Sequence, residues 1–300
     1  MTKYNINFSR FYKSFNILSI VLIIFSILFL IFKGLNYGVD FKGGTLIEIR
    51  SSDNNIDIAD IRKSFNKLNL GDVSVKEFGK KNDYIVKFEK KKTSDEKFIE
   101  NIKNELKKDM GNILEFRRVE SVGPKVSAEL LKSGVIAIAL SLGAMLIYIW
   151  IRFEWQFSLG AIAALFHDII ITLGFFSMLS LEINLSIVAA VLTIVGYSMN
   201  DTVVIFDRVR ENLKKFSDIK IYDITNISIN ETLSRTIITS MTTLLALLSI
   251  FIFGGAILKG FSFAMILGVV VGTYSSIYIA NPILVRLDVS QKTILKEDKD

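Results

Sequence analysis

Apolar residues along this chain come in long unbroken runs, not in the short periodic patterns of a soluble protein. The runs fall at Phe15–Phe32, Gly134–Ile151, Phe157–Leu179, Leu185–Phe206, Leu233–Phe253 and Phe261–Ala280. The first reaches about 27 Å as a helix, enough to cross a bilayer core. It is too long for a signal-peptide core, and no small-residue cleavage site follows it, so it reads as a retained anchor. The pattern predicts six transmembrane helices.

Between the first two runs the periodicity changes. Gly34–Thr45 is glycine-rich and predicts a tight entry into a strand. Thr45–Arg50 alternates as a strand does. Asp57–Leu68 places Ile58, Ile61, Phe65 and Leu68 on one helical stripe behind an Asp57 cap. Val73–Phe78 and Tyr84–Phe88 read as a hairpin turning at Gly79–Asp83. Ser94–Met110 is predicted as a helix with Ser94 as N-cap and Gly111 as stop, and Ile113–Val119 as the last strand. The order βαββαβ is the split βαβ, ferredoxin-like arrangement. Pro124 stands where a helix returning to the membrane can begin. The predicted fold is therefore a polytopic α-helical membrane protein with six transmembrane helices and one external α+β domain between helices 1 and 2. Its expected divisions are 1–33 (N-terminus and helix 1), 34–132 (external domain), 133–282 (helices 2–6) and 283–300 (tail). Gly268 and Gly272, four apart in the last run, predict close packing on a neighbouring helix, and Pro282 is expected to end that run.

Composition agrees with a membrane protein: 51% of the 300 residues are hydrophobic and the mean hydropathy is positive. The net charge of +6 is modest and spread out, which argues against a nucleic-acid partner. There is no cysteine, which removes disulfides, thiolate catalysis and cysteine metal sites. The insert carries no nucleotide loop, metal spacing or nucleophile–base pair, so no enzyme activity, metal or cofactor is expected. Lys3, Arg10 and Lys13 precede the first run. Arg152 lies in one short loop, and Arg208, Arg210, Lys214, Lys215 and Lys220 lie in Asp207–Glu231, read as a charged loop that is partly helical at first. The positive-inside rule then places both termini in the cytoplasm and the insert outside.

The chemistry-bearing stretch is Leu185–Asn212, which starts as a membrane helix and ends as a charged one. Asp201 lies within it, roughly 8 Å inside the cytoplasmic end of its run. A carboxylate at depth costs roughly 2.5–3.5 kcal/mol on insertion scales, so its default reading is a functional site with a partner. Arg235, just inside the fifth run at similar depth, is the expected partner. Beside a guanidinium a carboxylate stays ionised; away from it, a buried one takes up a proton. A protonatable acid with a movable partner is the minimal proton relay, with protons as the coupling ion. Tyr197 is one turn above Asp201, Arg208 two turns below, and Ser198 and Asn200 are polar neighbours able to hold water. His167 and Asp168 form a second polar island, with Asp168 a weaker relay candidate and Thr172 its expected hydrogen-bond partner. Adjacent positions point about 100° apart, so His167 and Asp168 are not expected to share a face. Thr239, Ser240, Thr242 and Thr243 are expected to bond between helices.

Several long motifs carry a family resemblance: GVDFKGGT at Gly38–Thr45, VGPKVSAEL at Val122–Leu130, RFEWQFSLGAIAALFHDIIIT at Arg152–Thr172, VGYSMNDTVVIFDRVREN at Val195–Asn212 and TLSRTIITSMTTLLALLSIFIFGG at Thr232–Gly255. The chain resembles the SecD/SecF family of protein-export membrane proteins, SecF in particular, within the resistance-nodulation-division superfamily of proton-driven exporters. One departure is Ser127, where a second glycine is more usual. The resemblance implies a multi-pass protein of the bacterial inner membrane that pairs its spans with those of SecD. It implies further association with the SecYEG channel and the auxiliary subunit YajC, and proton-motive-force-dependent export of unfolded polypeptides. Asp201 and Arg235 fall on the family's charged membrane positions tied to proton movement, and the external domain is expected in the periplasm. Two other readings stay open: half of a proton-driven small-molecule antiporter, which calls for a much larger external region, and a non-transporting scaffold for SecD.

Overall fold

The computed structural model describes residues 6–53, 56–77, 81–88, 96–216 and 218–295. A short 3-10 turn leads into α1 (Tyr12–Phe32). Then come β1 (Asn36–Tyr37), α2 (Val39–Lys42), β2 (Gly44–Ser51), α3 (Ile58–Asn66), β3 (Val73–Glu77), β4 (Asp83–Phe88), α4 (Glu96–Met110) and β5 (Leu114–Val122). The long helices follow: α5 (Pro124–Arg152), α6 (Trp155–Met178), β6 (Glu182–Ile183), α7 (Leu185–Lys215), α8 (Ile221–Phe253) and α9 (Gly255–Ser275). A π-helical turn at Ser276–Ala280, α10 (Asn281–Arg286) and α11 (Gln291–Leu295) complete the described chain. It forms two compact units, one of residues Tyr37–Val135 and one of the remainder.

In the Tyr37–Val135 unit the strands run β3-β4-β2-β5, each pair antiparallel. Alternation puts Ile47 and Ile49 of β2, Val75 of β3 and Tyr84, Val86 and Phe88 of β4 on one face. There they pack with Ile61 and Phe65 of α3 and Ile102 and Leu106 of α4. Asp57 caps α3 as its sequence predicts: its carboxylate accepts from the Ile58 amide at 2.7 Å, and Asp60 accepts from the Asp57 amide at 3.3 Å. The expected cap Ser94, Phe78 at the end of the predicted strand, and the first two residues of the Gly79–Asp83 turn lie outside the described residues. The last strand runs to Val122, three residues past its expected end, because Gly44 and Thr45 pair with Val122 and Ser121. The glycine pair Gly43–Gly44 has positive φ (78° and 120°), and a Cβ on Gly43 would lie 3.4 Å from the Pro124 backbone. Ser127, the departure from the family pattern, is buried there and donates to the Gly123 and Val39 carbonyls.

In the other unit α6, α7 and α9 form the interior, while α1 and α8 keep most of their apolar surface outward. Among the described residues, six helices of the chain are long and apolar enough to cross a membrane. The expected glycine packing is present. A Cβ on Gly268 would lie 2.3 Å from the Ile194 side chain of α7, and one on Gly272 would lie 3.1 Å from Ser198. Gly174 of α6 sits equally tightly against Ser26 of α1. The segment before α1 docks on α8. The Ile6 and Phe8 amides each donate 2.8 Å bonds, to Asn230 and Asn226.

Three sequence expectations need correction. Asp207–Glu231 is not a loop: α7 continues to Lys215 and α8 begins at Ile221. Val209, Leu213, Ile224 and Ile229 keep a helical period and are buried, while Arg208 and Glu231 join across the two helices at 2.6 Å. The Gly254–Gly260 turn is a break of one residue, with α9 starting at Gly255 in positive φ. Pro282 does not end the last span. It sits in the first turn of α10, where a missing amide costs nothing. The π turn before it shifts the ladder, and Asn281 Nδ2 donates to the Ser276 carbonyl five residues back at 2.7 Å.

Candidate functional site in the helix bundle

Asp201 lies on the inward face of α7 and is 3% exposed. The helix runs unbroken through this polar stretch, and Thr202 Oγ1 donates back to the Ser198 carbonyl one turn earlier. Two hydroxyls from two other helices stand beside the carboxylate: Ser240 of α8 and Thr273 of α9. They bond to each other at 2.8 Å. Asp201 Oδ2 is buried and, among the described residues, has no hydrogen-bond partner. The same holds for the hydroxyls of Tyr197, one turn away on α7, and Thr236, one turn before Ser240 on α8.

Arg235 is within electrostatic range of Asp201 but forms no ion pair with it. Its position on α8 is exposed and flanked by the exposed apolar residues Ile237, Ile238 and Met241. Asn200 is also exposed, one helical step around from Asp201. The structure thus joins Asp201 to Ser240 and Thr273, keeps Arg235 near, and turns Asn200 outward.

Asp168 is completely buried on α6, and its surroundings differ from the sequence expectation. Its Oδ2 accepts from Ser198 of α7 at 2.5 Å and from Ser275 of α9 at 2.8 Å. Thr172 is not its partner; that hydroxyl is buried and unpartnered among the described residues. His167 Nδ1 lies 2.8 Å from Asp168 Oδ1, so these neighbours do meet: the imidazole is long enough to swing back across the step between them. The other face of the story is Tyr274, whose ring stacks on His167 at 5.8 Å and whose hydroxyl donates to the Phe15 carbonyl of α1.

The expected interhelical bonding of the α8 hydroxyls holds for Ser240 alone. Thr239, Thr242 and Thr243 bond carbonyls of their own helix. Sequence reasoning missed Thr273 and Ser275. They were visible only as polar residues in an apolar run, just after the Gly268–Gly272 pair that brings α9 against α7. It also missed Glu154, a buried carboxylate 3.0 Å from Arg210, with the Arg152 and Arg210 guanidiniums 5.1 and 5.5 Å from the centre of the Phe153 ring. Arg208 is committed to Glu231 and Glu211, away from Asp201.

Residues 102–290 match the family described as protein export membrane protein SecD/SecF, C-terminal, and residues 28–54 match the SecD/SecF GG motif. The protein translocase subunit SecF of Rickettsia rickettsii is 45% identical over 285 residues, covering 94% of this chain and 92% of that one. SecF of Vibrio alginolyticus is 44% identical over 291 residues, covering 97% and 92%. Among solved structures, SecDF of Thermus thermophilus, a translocon-associated membrane protein, superposes with a TM-score of 0.85 at 34% identity. This chain is covered to 96% and spans 39% of the SecDF chain. SecDF in its super-membrane-facing form gives a TM-score of 0.70 at 32% identity, with 100% and 41% covered. This chain is a multi-pass membrane protein and belongs to the SecD/SecF family of protein-export membrane proteins, among its SecF members.

Proposed function

We propose that the chain acts with SecD as the SecF subunit of the translocase accessory complex. It couples proton entry to export of unfolded polypeptide through the SecYEG channel, with YajC as an auxiliary partner. The observation that carries this reading is the pair Asp201 and Arg235. One is a buried carboxylate with an unpartnered oxygen; the other is a nearby cation on an apolar, outward face. A guanidinium facing hydrocarbon is costly, which supports a second membrane subunit covering that face of α8. Movement of that subunit changes how closely the guanidinium approaches Asp201, and so whether the carboxyl holds a proton. One proton crossing 100 mV supplies about 2.3 kcal/mol, enough to bias a two-state switch several tens-fold. No bond-making chemistry is required of the chain, and protons are its coupling ion. The reading places it in the bacterial inner membrane with both termini cytoplasmic and the sheet-bearing unit periplasmic. The basic residues flanking the spans support that orientation.

The test is export in membrane vesicles, with and without a proton gradient, by complexes carrying Asp201→Asn or Arg235→Ala. Gradient-stimulated export is expected to vanish in the first and fall at least about ten-fold in the second, with the complex still assembled. Unchanged export in both would leave a scaffold for SecD as the surviving account.

A further inference from the structure

Among the described residues the bundle holds two buried aspartates, Asp168 and Asp201, and of these Asp201 alone has a buried oxygen without a partner. Asp168 Oδ2 accepts a hydroxyl hydrogen bond from each of two helices, Ser198 on α7 and Ser275 on α9, while Oδ1 meets His167 on its own helix. Three helices are therefore tied at one carboxylate. The tie sits at a close contact between two of them: a Cβ on Gly272 of α9 would lie 3.1 Å from Ser198 itself, one turn from the still tighter Gly268–Ile194 contact. Both tied serines adjoin the Asp201 site. Ser198 precedes Asp201 by one turn on α7. Ser275 is two residues beyond Thr273, which faces the other flank of α9 and bonds Ser240 beside Asp201. A slip or rotation of α9 would move Ser275 and Thr273 together.

We propose that Asp168 is a positioning residue and not a proton carrier. It fixes the register of α7 against α9 and thereby holds the Ser240–Thr273 hydroxyl pair beside Asp201. Its consequence for coupling rests on the relay reading of Asp201; the register itself does not. The chemistry gives a sharp discriminator. An asparagine can accept both serine hydroxyls on its single oxygen and donate from its amide to His167 Nδ1. That requires the imidazole proton to move to Nε2, which is buried and has no partner among the described residues, so the exchange breaks no other hydrogen bond. Asparagine can therefore keep the tie but cannot carry a proton.

The chain contains no cysteine, so a disulfide formed within it comes from the reporter pair alone. Ile194→Cys with Gly268→Cys, at the tight α7–α9 contact, is oxidised in membranes containing the assembled complex, and the cross-link is read as a gel-mobility shift. The rate is compared for the parent, Asp168→Asn, Asp168→Ala and the double variant Ser198→Ala/Ser275→Ala, with gradient-driven export measured on the same variants without the reporter. Asp168→Asn is expected within about two-fold of the parent in both readouts. Asp168→Ala and the double serine variant are expected at least about ten-fold slower in cross-linking and export, the factor that lost charge-assisted bonds give. Asparagine with parental cross-linking and no export would overturn the proposal by making Asp168 a proton carrier. Parental cross-linking in the double serine variant would overturn it by showing that the tie does not set the register. That double variant keeps the carboxylate, so it decides the matter even if Asp168→Ala fails to assemble. If export by the parent ignores the gradient, the relay reading falls, while the cross-linking arms still decide the register.

Discussion

Asp168 and Asp201 lie in neighbouring helices, both buried, and their surroundings are opposite in kind. Asp168 has a hydrogen-bond partner for each oxygen and a third to spare. Asp201 has an oxygen with no partner among the described residues, two hydroxyls beside it that also bond each other, and a cation near but not in contact. Satisfied polar networks rigidify, whereas an unsatisfied buried group is held at a cost of about 1–3 kcal/mol and persists where something else uses it. Depth alone thus does not separate a relay from a fastening; the count of donors around the carboxylate does.

The largest expected effect that sharpens this contrast is in export itself. Asp201→Asn is expected to abolish the gradient-dependent component, while Asp168→Asn leaves it nearly intact. A smaller effect comes from the packing beneath both sites. Gly268→Leu drives a side chain into Ile194 of α7 and is expected to cost about 1–3 kcal/mol, read as a lowered unfolding midpoint of the detergent-solubilised complex. If the midpoint is unchanged, the α7–α9 contact is loose and neither acid is positioned as described.

The smallest expected effect concerns a third acid, outside the bundle, which serves as a baseline. Glu48 of β2 is partly buried beside Arg118 at 3.5 Å. Burial pushes its carboxyl above its ordinary value of 4.5, and the guanidinium draws it part of the way back. A raised folded value means the stability it lends is complete below the ordinary value and is lost as pH rises through the raised one. Glu48→Gln removes that loss. Amide protection in β2 should therefore favour the variant increasingly as the pH rises above the ordinary value of 4.5, with export unaffected. Equal protection below and above that value would mean that the carboxyl is effectively solvated.

The parts of the molecule set by local pattern were readable from the chain. The six apolar runs, the alternation in β2 and β4, the Asp57 cap and the Gly268–Gly272 contact all depend on neighbours in sequence. The buried acid at Asp201 was readable for the same reason, as a charge inside an apolar run. What the pattern could not carry was partnership across helices. Ser198 and Ser275 reach Asp168 from two other helices, 30 and 107 positions away along the chain. Thr172, the neighbour that spacing favoured, is not bonded to it. Charge misled at Asp207–Glu231, where polar residues on the outer face of two helices read as a loop. Pro282 misled because a π turn absorbed the amide it lacks. The SecD/SecF resemblance came from motifs, and no reading of periodicity alone would have reached it.

The most direct test of the contrast is which carboxyl takes a proton inside the membrane. A hydrophobic carbodiimide, which adds to protonated carboxyls in apolar surroundings, is applied to the assembled complex and the adducts are mapped by mass spectrometry. The flanking groups at the two sites are Arg235 and Tyr197 for Asp201, and His167 and Tyr274 for Asp168. An adduct on Asp201 that fades as the medium is made alkaline, with Asp168 unlabelled throughout, is the expected result. Labelling of Asp168 with Asp201 untouched would contradict the account.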